Sequence, residues 1–247
     1  QVKHLPRWHL PTLDNQEVID DLNSLRPELI VASFYPQRIP QAVLDLAPGI
    51  NVHPSALPQF RGPDPCGWTI RSGDVRTAIT VHWLTAGLDE GDIIEQWPIK
   101  VFPRETTGRL AARLEAAGAM HIANVAARIA QGHTVESRPQ AGPVTWAPLI
   151  PDDQWEIRWS DHAKDIDQLI RAALPDPGAY TGVGDELMVI LNARPVKAGH
   201  FDALGSGTPY VADDYLHIKC GVHAMQIRKA RLGRRVLTGP ELAKLFV

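Results

Sequence analysis

The spacing of apolar residues changes character once along the 247-residue chain, and that change limits the fold more than any other feature. Up to about residue 131, short apolar runs alternate with stretches of helical spacing, the alternation that builds α/β sheets. Beyond about residue 153, short β-rich runs follow one another, broken by Gly, Asp and Asn. Between them lies GHTVESRPQAGPVTWAPLIPDD, rich in proline and without periodicity, which reads as a linker. We therefore expect an α/β domain over 1–135, a linker over 136–152 and a β-rich domain over 153–247.

Within the first half, Asn15 to Leu25 places Val18, Ile19, Leu22 and Leu25 on one side and predicts a helix. Leu29 to Ala32 reads as a short strand buried on both faces, and Pro40 as the start of another helix. Ile50 to His53 predicts a second strand, and Pro65 to Ser72 a brief helix. Ala78 to Leu84 and Ile93 to Val101 read as strands either side of the turn GLDEGD, and Glu105 to Gln131 as a long helix. After the linker, Asp161 to Leu174 is amphipathic. The runs ELMVILNARPV, TPYVADD, YLHIKC and HAMQIRKARL then pack most naturally as a small β-barrel.

Bulk properties exclude several classes. A net charge of -3 does not point to a nucleic-acid or anionic-membrane binder. Cys66 and Cys220 form no CxxC pair, which argues against a disulfide framework or cysteine zinc site and fits a reducing compartment. His4 and His9 sit near the start of the chain, and no His/Asp/Glu cluster has zinc-ligand spacing, so no metal is expected. No apolar run approaches the roughly 20 residues that span a bilayer, and the expectation is a cytoplasmic protein.

The chemistry-bearing residues concentrate between Asn51 and Ile94. Asn51 and His53 are two apart on one predicted strand, so their side chains share a face. Asp89 follows in a Gly-flanked turn, where a carboxylate is easily placed. In a parallel α/β sheet such groups line the ligand crevice past the carboxyl ends of the strands. An amide that donates to a developing oxyanion, an imidazole that moves a proton and a carboxylate that fixes the imidazole's charge state together make an acyl-transfer site. On the residues alone a second reading stands beside it, a hydrogen-bonded structural histidine and an ordinary turn.

The stretch NVHPSALPQFRGPDP, then Trp68, then TAGLDEGDII resembles the signature of the 10-formyltetrahydrofolate-dependent formyltransferases. That group includes methionyl-tRNA formyltransferase, glycinamide ribonucleotide formyltransferase and the sugar-nucleotide N-formyltransferases. Asn51, His53, Ser55, Leu57, Pro58, Arg61, Gly62, Leu88, Asp89 and Gly91 fall in the family's order. IRW at 157–159 and LIRAALPDPGAY at 169–180 are similar to the start of the C-terminal domain of the methionyl-tRNA enzyme and its relatives.

The resemblance implies a Rossmann-like formyltransferase domain followed by a small OB-like β-barrel, with 10-formyltetrahydrofolate as co-substrate. Asn51 and His53 would polarise the formyl oxygen, while Asp89 would hold His53 in its charged form and assist proton removal. The loop Ser33 to Pro40 matches one that wraps the pterin ring, which makes Phe34, Tyr35, Gln37, Arg38 and Ile39, with Leu88, the expected folate contacts. A loop packed on a helix is the other reading of that segment. Ser55, Arg61 and Trp68 would face the acceptor, though Arg61 could pair within its own turn and Trp68 could be core. The family's first strand lies inside its sheet. This chain opens QVKHLPRW, with only Trp8 to Leu10 as a remnant, so the expectation is an incomplete front and a longer native chain.

The acceptor is read less directly. Against methionyl-tRNA enzymes the chain departs at Pro63-Asp64-Pro65 and at Thr77-Ala78. Residues 151–247 hold 12 Lys/Arg against 13 Asp/Glu, a weak charge balance for an RNA binder, with one basic cluster from Arg228 to Arg235. A small-molecule amine, an amino sugar nucleotide or amino acid derivative, is therefore placed first and methionyl-tRNA second. A formyltetrahydrofolate hydrolase and a non-catalytic binding module follow.

Overall fold

A computed structural model describes residues 12–35 and 37–246. His4, His9 and the remnant Trp8 to Leu10 lie outside them, as does Pro36 of the expected folate loop. In the first half the elements are α1 (Gln16–Ser24), β1 (Ile30–Ser33), α2 (Gln41–Leu44), β2 (Gly49–His53), α3 (Pro65–Ser72), β3 (Arg76–Trp83), β4 (Ile93–Lys100) and α4 (Thr107–Ala130). There follow α5 (Ala163–Ala172), β5 (Tyr180–Val183), β6 (Glu186–Val196), β7 (Pro209–Ala212), β8 (Tyr215–Lys219), β9 (Ala224–Leu232), β10 (Arg235–Thr238) and α6 (Gly239–Ala243). Among the described residues no helix is long and apolar enough to cross a membrane.

The chain folds into two compact units, each assembled from three stretches. One holds the described part of Gln1–Pro63 with Ala78–Pro98 and Glu115–Trp146; the other holds Asp64–Thr77, Ile99–Leu114 and Ala147–Val247. The first is organised by a sheet of order β1-β2-β3-β4. β1 and β2 are parallel, but β3 runs antiparallel to β2, with Asn51 opposite His82 and His53 opposite Thr80. The sheet is thus mixed rather than wholly parallel.

Alternation along the strands gives this sheet two unlike faces. Val52 faces α4, where Gly118 lets sheet and helix approach closely. A Cβ there would lie 3.1 Å from both Val52 and the Phe34 ring. Trp97 of β4 stacks on His121 of α4 with ring centroids 3.7 Å apart, and Glu95 pairs with Arg128. The other face carries Asn51, His53, Thr80, His82 and Gln96, an unusually polar set for a buried sheet surface, and its bonds explain how that is tolerated. Thr80 Oγ1 donates to Ser55 O at 2.6 Å, and Gln96 Nε2 donates to Thr80 Oγ1 and Leu57 O at 2.9 and 3.1 Å. β1 differs from expectation: Val31 and Ser33 are exposed, because among the described residues only β2 flanks it.

In the second unit an antiparallel sheet of order β5-β6-β9-β8-β7, with β10 also paired to β9, curls around a core of Met188, Ile190, Leu216, Met225 and Ile227. α5 covers it through Ile166 and Ile170, and α3 packs on α5. α3 starts where the Asp64 side chain accepts from Gly67 N–H and stops at Gly73, whose φ of 77° is left-handed. A Cβ on Gly73 would also come within 2.0 Å of the Gln168 side chain on α5. Gly73→Ala should therefore destabilise the protein by at least about 1–2 kcal/mol, the usual penalty for left-handed backbone. Denaturant unfolding checks this, and an unchanged midpoint would contradict the packing described.

Candidate active site

The polar face of the first sheet and the loop between β3 and β4 together build a buried cluster. The loop folds back over the face and places Asp89 beside Asn51, His53 and His82, all four of them buried. Asp89 adopts a φ of 54°, a conformation that residues with a Cβ seldom take. Its Oδ2 accepts from Gly62 N–H at 2.9 Å and lies 3.5 Å from His53 Nδ1. Its Oδ1 accepts from Asn51 Nδ2 at 3.3 Å and lies 3.6 Å from His82 Nε2.

Hydrogen-bond roles follow from what each partner is able to do. His53 Nε2 is 2.8 Å from Phe60 O, and a carbonyl only accepts, so Nε2 carries the proton. The remaining nitrogen, Nδ1, is the one turned to Asp89. His82 Nδ1 likewise donates to Trp83 O at 2.9 Å, and its Nε2 lies 3.2 Å from Asn51 Nδ2. Asn51 Nδ2 thus faces Asp89 and His82, while its Oδ1 is buried without a partner among the described residues.

Charge states differ from the sequence expectation. Burial is the strongest influence on His53 and takes its pKa below the ordinary 6.5. Asp89 and the Phe60 carbonyl act to raise it but do not prevail, and His82 lowers it further. His53 is therefore neutral at pH 7, not held in its charged form. Burial would raise the Asp89 carboxyl, but His82, His53 and the Gly62 N–H outweigh it and keep Asp89 below its ordinary value. The resting cluster is an ionised carboxylate beside a neutral imidazole.

Of the expected folate contacts, Tyr35, Gln37, Arg38, Ile39 and Leu88 line one narrow cleft together with Asn51 and Asp89. Arg38 Nη2 donates to Ala86 O at 2.6 Å and ties the two rims together. The cleft measures about 20 Å³, room for little more than a water molecule. Phe34 does not line it; its ring turns onto α4 at Gly118 and is half-buried there. Ser55 is wholly buried and spends its hydroxyl on Gln59 O at 2.5 Å, so it supports the turn instead of facing an acceptor. Arg61 bonds to Gln140 Oε1 and lies 3.8 Å from Glu90, so it pairs with residues distant in the chain rather than within its own turn. Trp68 lies on α3 in the other unit, where its Nε1 donates to Pro148 O at 2.8 Å.

Two matches establish where the chain belongs. The family model described as formyl transferase matches residues 2–126, and the one described as formyl transferase, C-terminal domain, matches 149–246. The chain belongs to the formyl transferase family. A relative named methionyl-tRNA formyltransferase, from Roseobacter denitrificans, is 35% identical over 237 residues, covering 94% of this chain and 74% of that protein. Among solved structures, HypX from Aquifex aeolicus in complex with tetrahydrofolic acid superposes with a TM-score of 0.69 at 20% identity. That match covers 93% of this chain, which spans about two fifths (41%) of HypX. An N-formyltransferase from Helicobacter canadensis, in complex with folinic acid and dTDP-3-aminofucose, gives 0.57 at 19% identity over 72% of this chain and 65% of its own. These structural likenesses bear on the formyl transferase fold alone.

Three residues of the site were not singled out in the sequence. His82 sits within TVHWL and joins the cluster only because β3 is antiparallel to β2, a register that apolar spacing does not reveal. Gln140 and Thr145 lie in the stretch read as linker, yet Thr145 Oγ1 accepts from Phe60 N–H at 2.8 Å and Thr145 O accepts from Arg61 N–H at 3.0 Å.

The charge assignment predicts a pH dependence. Below about pH 6.5 the unfolded chain takes up a proton at His53 that the folded chain refuses, so stability falls as pH drops. His217, also lowered chiefly by burial, works in the same direction. His53→Gln should flatten the fall in unfolding free energy between about pH 7 and 5 while leaving the part due to His217. An identical slope would mean that His53 is not held neutral by the fold.

Proposed function

We propose that this chain transfers a formyl group from 10-formyltetrahydrofolate to a primary amine, and that the favoured acceptor is methionine carried on tRNA. The observation that carries the reaction is the buried Asn51–His53–Asp89 cluster, of which Asn51 and Asp89 line a cleft whose rims hold Tyr35, Gln37, Arg38, Ile39 and Leu88. A pterin is much larger than the present cleft, so binding requires the Arg38–Ala86 bond to open.

Each side chain then has a definite task. As the amine adds to the formyl carbon, Asn51 turns an amide N–H to the developing oxyanion. Its present bonds, at 3.2 and 3.3 Å, are at or beyond the long end of the normal range and are inexpensive to exchange. Neutral His53 takes a proton from the amine nitrogen at Nδ1 while Nε2–H stays on Phe60 O. Asp89 stabilises the imidazolium so formed, and the proton passes on to N10 of the departing tetrahydrofolate, which returns His53 to neutral.

The acceptor order of the sequence reading is reversed here. The Roseobacter relative and seven others, 30–35% identical, carry the name methionyl-tRNA formyltransferase. The hairpin of β9 and β10 also presents Arg228, Lys229, Arg231, Arg234 and Arg235 to solvent, none of them in an ion pair among the described residues. Unpaired cations concentrated in one place suit a phosphate backbone even where the unit as a whole is near neutral. A small-molecule amine is the second reading, favoured by that overall balance and by the N-formyltransferase neighbour. We place the reaction in the cytoplasm.

The test is to supply 10-formyltetrahydrofolate with methionyl-tRNA or an amino sugar nucleotide and identify the product. Formyl-methionyl-tRNA is expected, and His53→Ala should lower kcat/KM by about 10²–10⁴-fold. Formate released to water with either acceptor would contradict the transferase reading, and near-normal turnover by His53→Ala would contradict the mechanism.

A further inference from the structure

The amide of Gln140 is fully committed, and its partners are the two segments that hold Asp89. Nε2 donates to Asp89 O at 2.8 Å and to Gly91 O at 2.9 Å. Oε1 accepts from Arg61 Nη2 at 2.7 Å and Nε at 3.2 Å. Arg61 is followed by Gly62, whose N–H binds the Asp89 carboxylate. The contacts close a circuit: Arg61 to Gln140, Gln140 to the Asp89 backbone, the Asp89 carboxylate to Gly62, and Gly62 back to Arg61 through the chain.

Such a circuit has a consequence that a single bond would not. Asp89 keeps a left-handed backbone despite its Cβ, and conformations of this kind persist only where the surroundings fix them. Gln140 grips the carbonyl of the strained residue and that of the residue two further on, at the exit of the turn. The backbone of Gln140's own segment is fixed in turn. Arg138 and Ile93 exchange N–H···O bonds of 2.9 and 2.8 Å, and Thr145 N–H donates to Pro58 O at 3.3 Å.

We propose that Gln140 is a positioning residue for Asp89, aiming the carboxylate at His53 and Asn51 by clamping the turn that carries it to the Arg61–Gly62 segment. The inference rests on the proposed formyl transfer for its catalytic consequence, but not for its geometry. Misplacing a reacting group by about 1 Å can cost as much as 10²-fold in rate, and Gln140 touches neither His53 nor Asn51.

Two substitutions separate this from a role in anchoring Arg61 alone. Gln140→Ala removes every bond. Gln140→Glu keeps an acceptor for Arg61 and sets a carboxylate oxygen against two carbonyl oxygens. Both variants should lose about 10–100-fold in kcat with the KM for 10-formyltetrahydrofolate within about threefold. In both, a ¹³C-detected titration of the Asp89 carboxyl should move up toward the ordinary range as Gly62 N–H drifts away. The titration needs no substrate, so it separates the two ideas. A parent protein that fails to transfer formyl but whose Asp89 titration shifts in the variants retains the clamp and refutes the reaction. A Gln140→Glu protein with unchanged kcat and unchanged Asp89 titration overturns the proposal.

Discussion

An ionised carboxylate in a buried position is the constraint on which the first unit's chemistry depends. Left unmet, such a charge costs several kcal/mol. Asp89 is met by the Gly62 N–H on one oxygen and the Asn51 amide on the other. That charge then orders its neighbours. It turns the Asn51 amide so that Nδ2 faces inward and Oδ1 is left without a partner among the described residues. His53 sits close enough to Asp89 for a charge on its ring to be stabilised when one arises, yet burial keeps the resting ring neutral. A base that is neutral at rest and supported once protonated is what proton removal from an amine requires.

The fold supplies this arrangement through strand direction. Because β3 is antiparallel to β2, the loop after Trp83 starts beside Ile50 and doubles back over the face that presents Asn51 and His53. The same reversal sets His82 opposite Asn51. A parallel β3 would have carried that loop off at the other end of β2. The stretch 138–146 then lies against the result, bonded to Ile93, Pro58, Phe60 and Arg61 and, through Gln140, to Asp89 and Gly91.

Much of this was legible in the sequence where local pattern determines structure. Helical spacing at Val18, Ile19 and Leu22, proline at the start of α3 and the β-rich run that forms β6 reflect interactions within a few residues, and those elements lie where expected. Asn51, His53 and Asp89 were legible because their motifs stand in a family's order, and the structure brings the three together. What depends on distant pairing was not legible. The register that brings in His82, the turning of Phe34 onto Gly118 and the service of Gln140 all arise from contacts tens of residues apart. Ser55 belongs with these: its place in the motif suggested a substrate contact, whereas its hydroxyl closes the turn to Gln59. The neutral state of His53 was hidden for another reason, since it depends on how deeply the ring is buried rather than on which residue is its neighbour.

The most direct test of the account is ¹⁵N NMR of the His53 ring in the folded protein at neutral pH. The account predicts one protonated and one unprotonated nitrogen, with the proton on Nε2 and Nδ1 free. Protonation of both nitrogens at pH 7 would contradict it, because His53 would then be a charged donor and could not accept a proton from the amine.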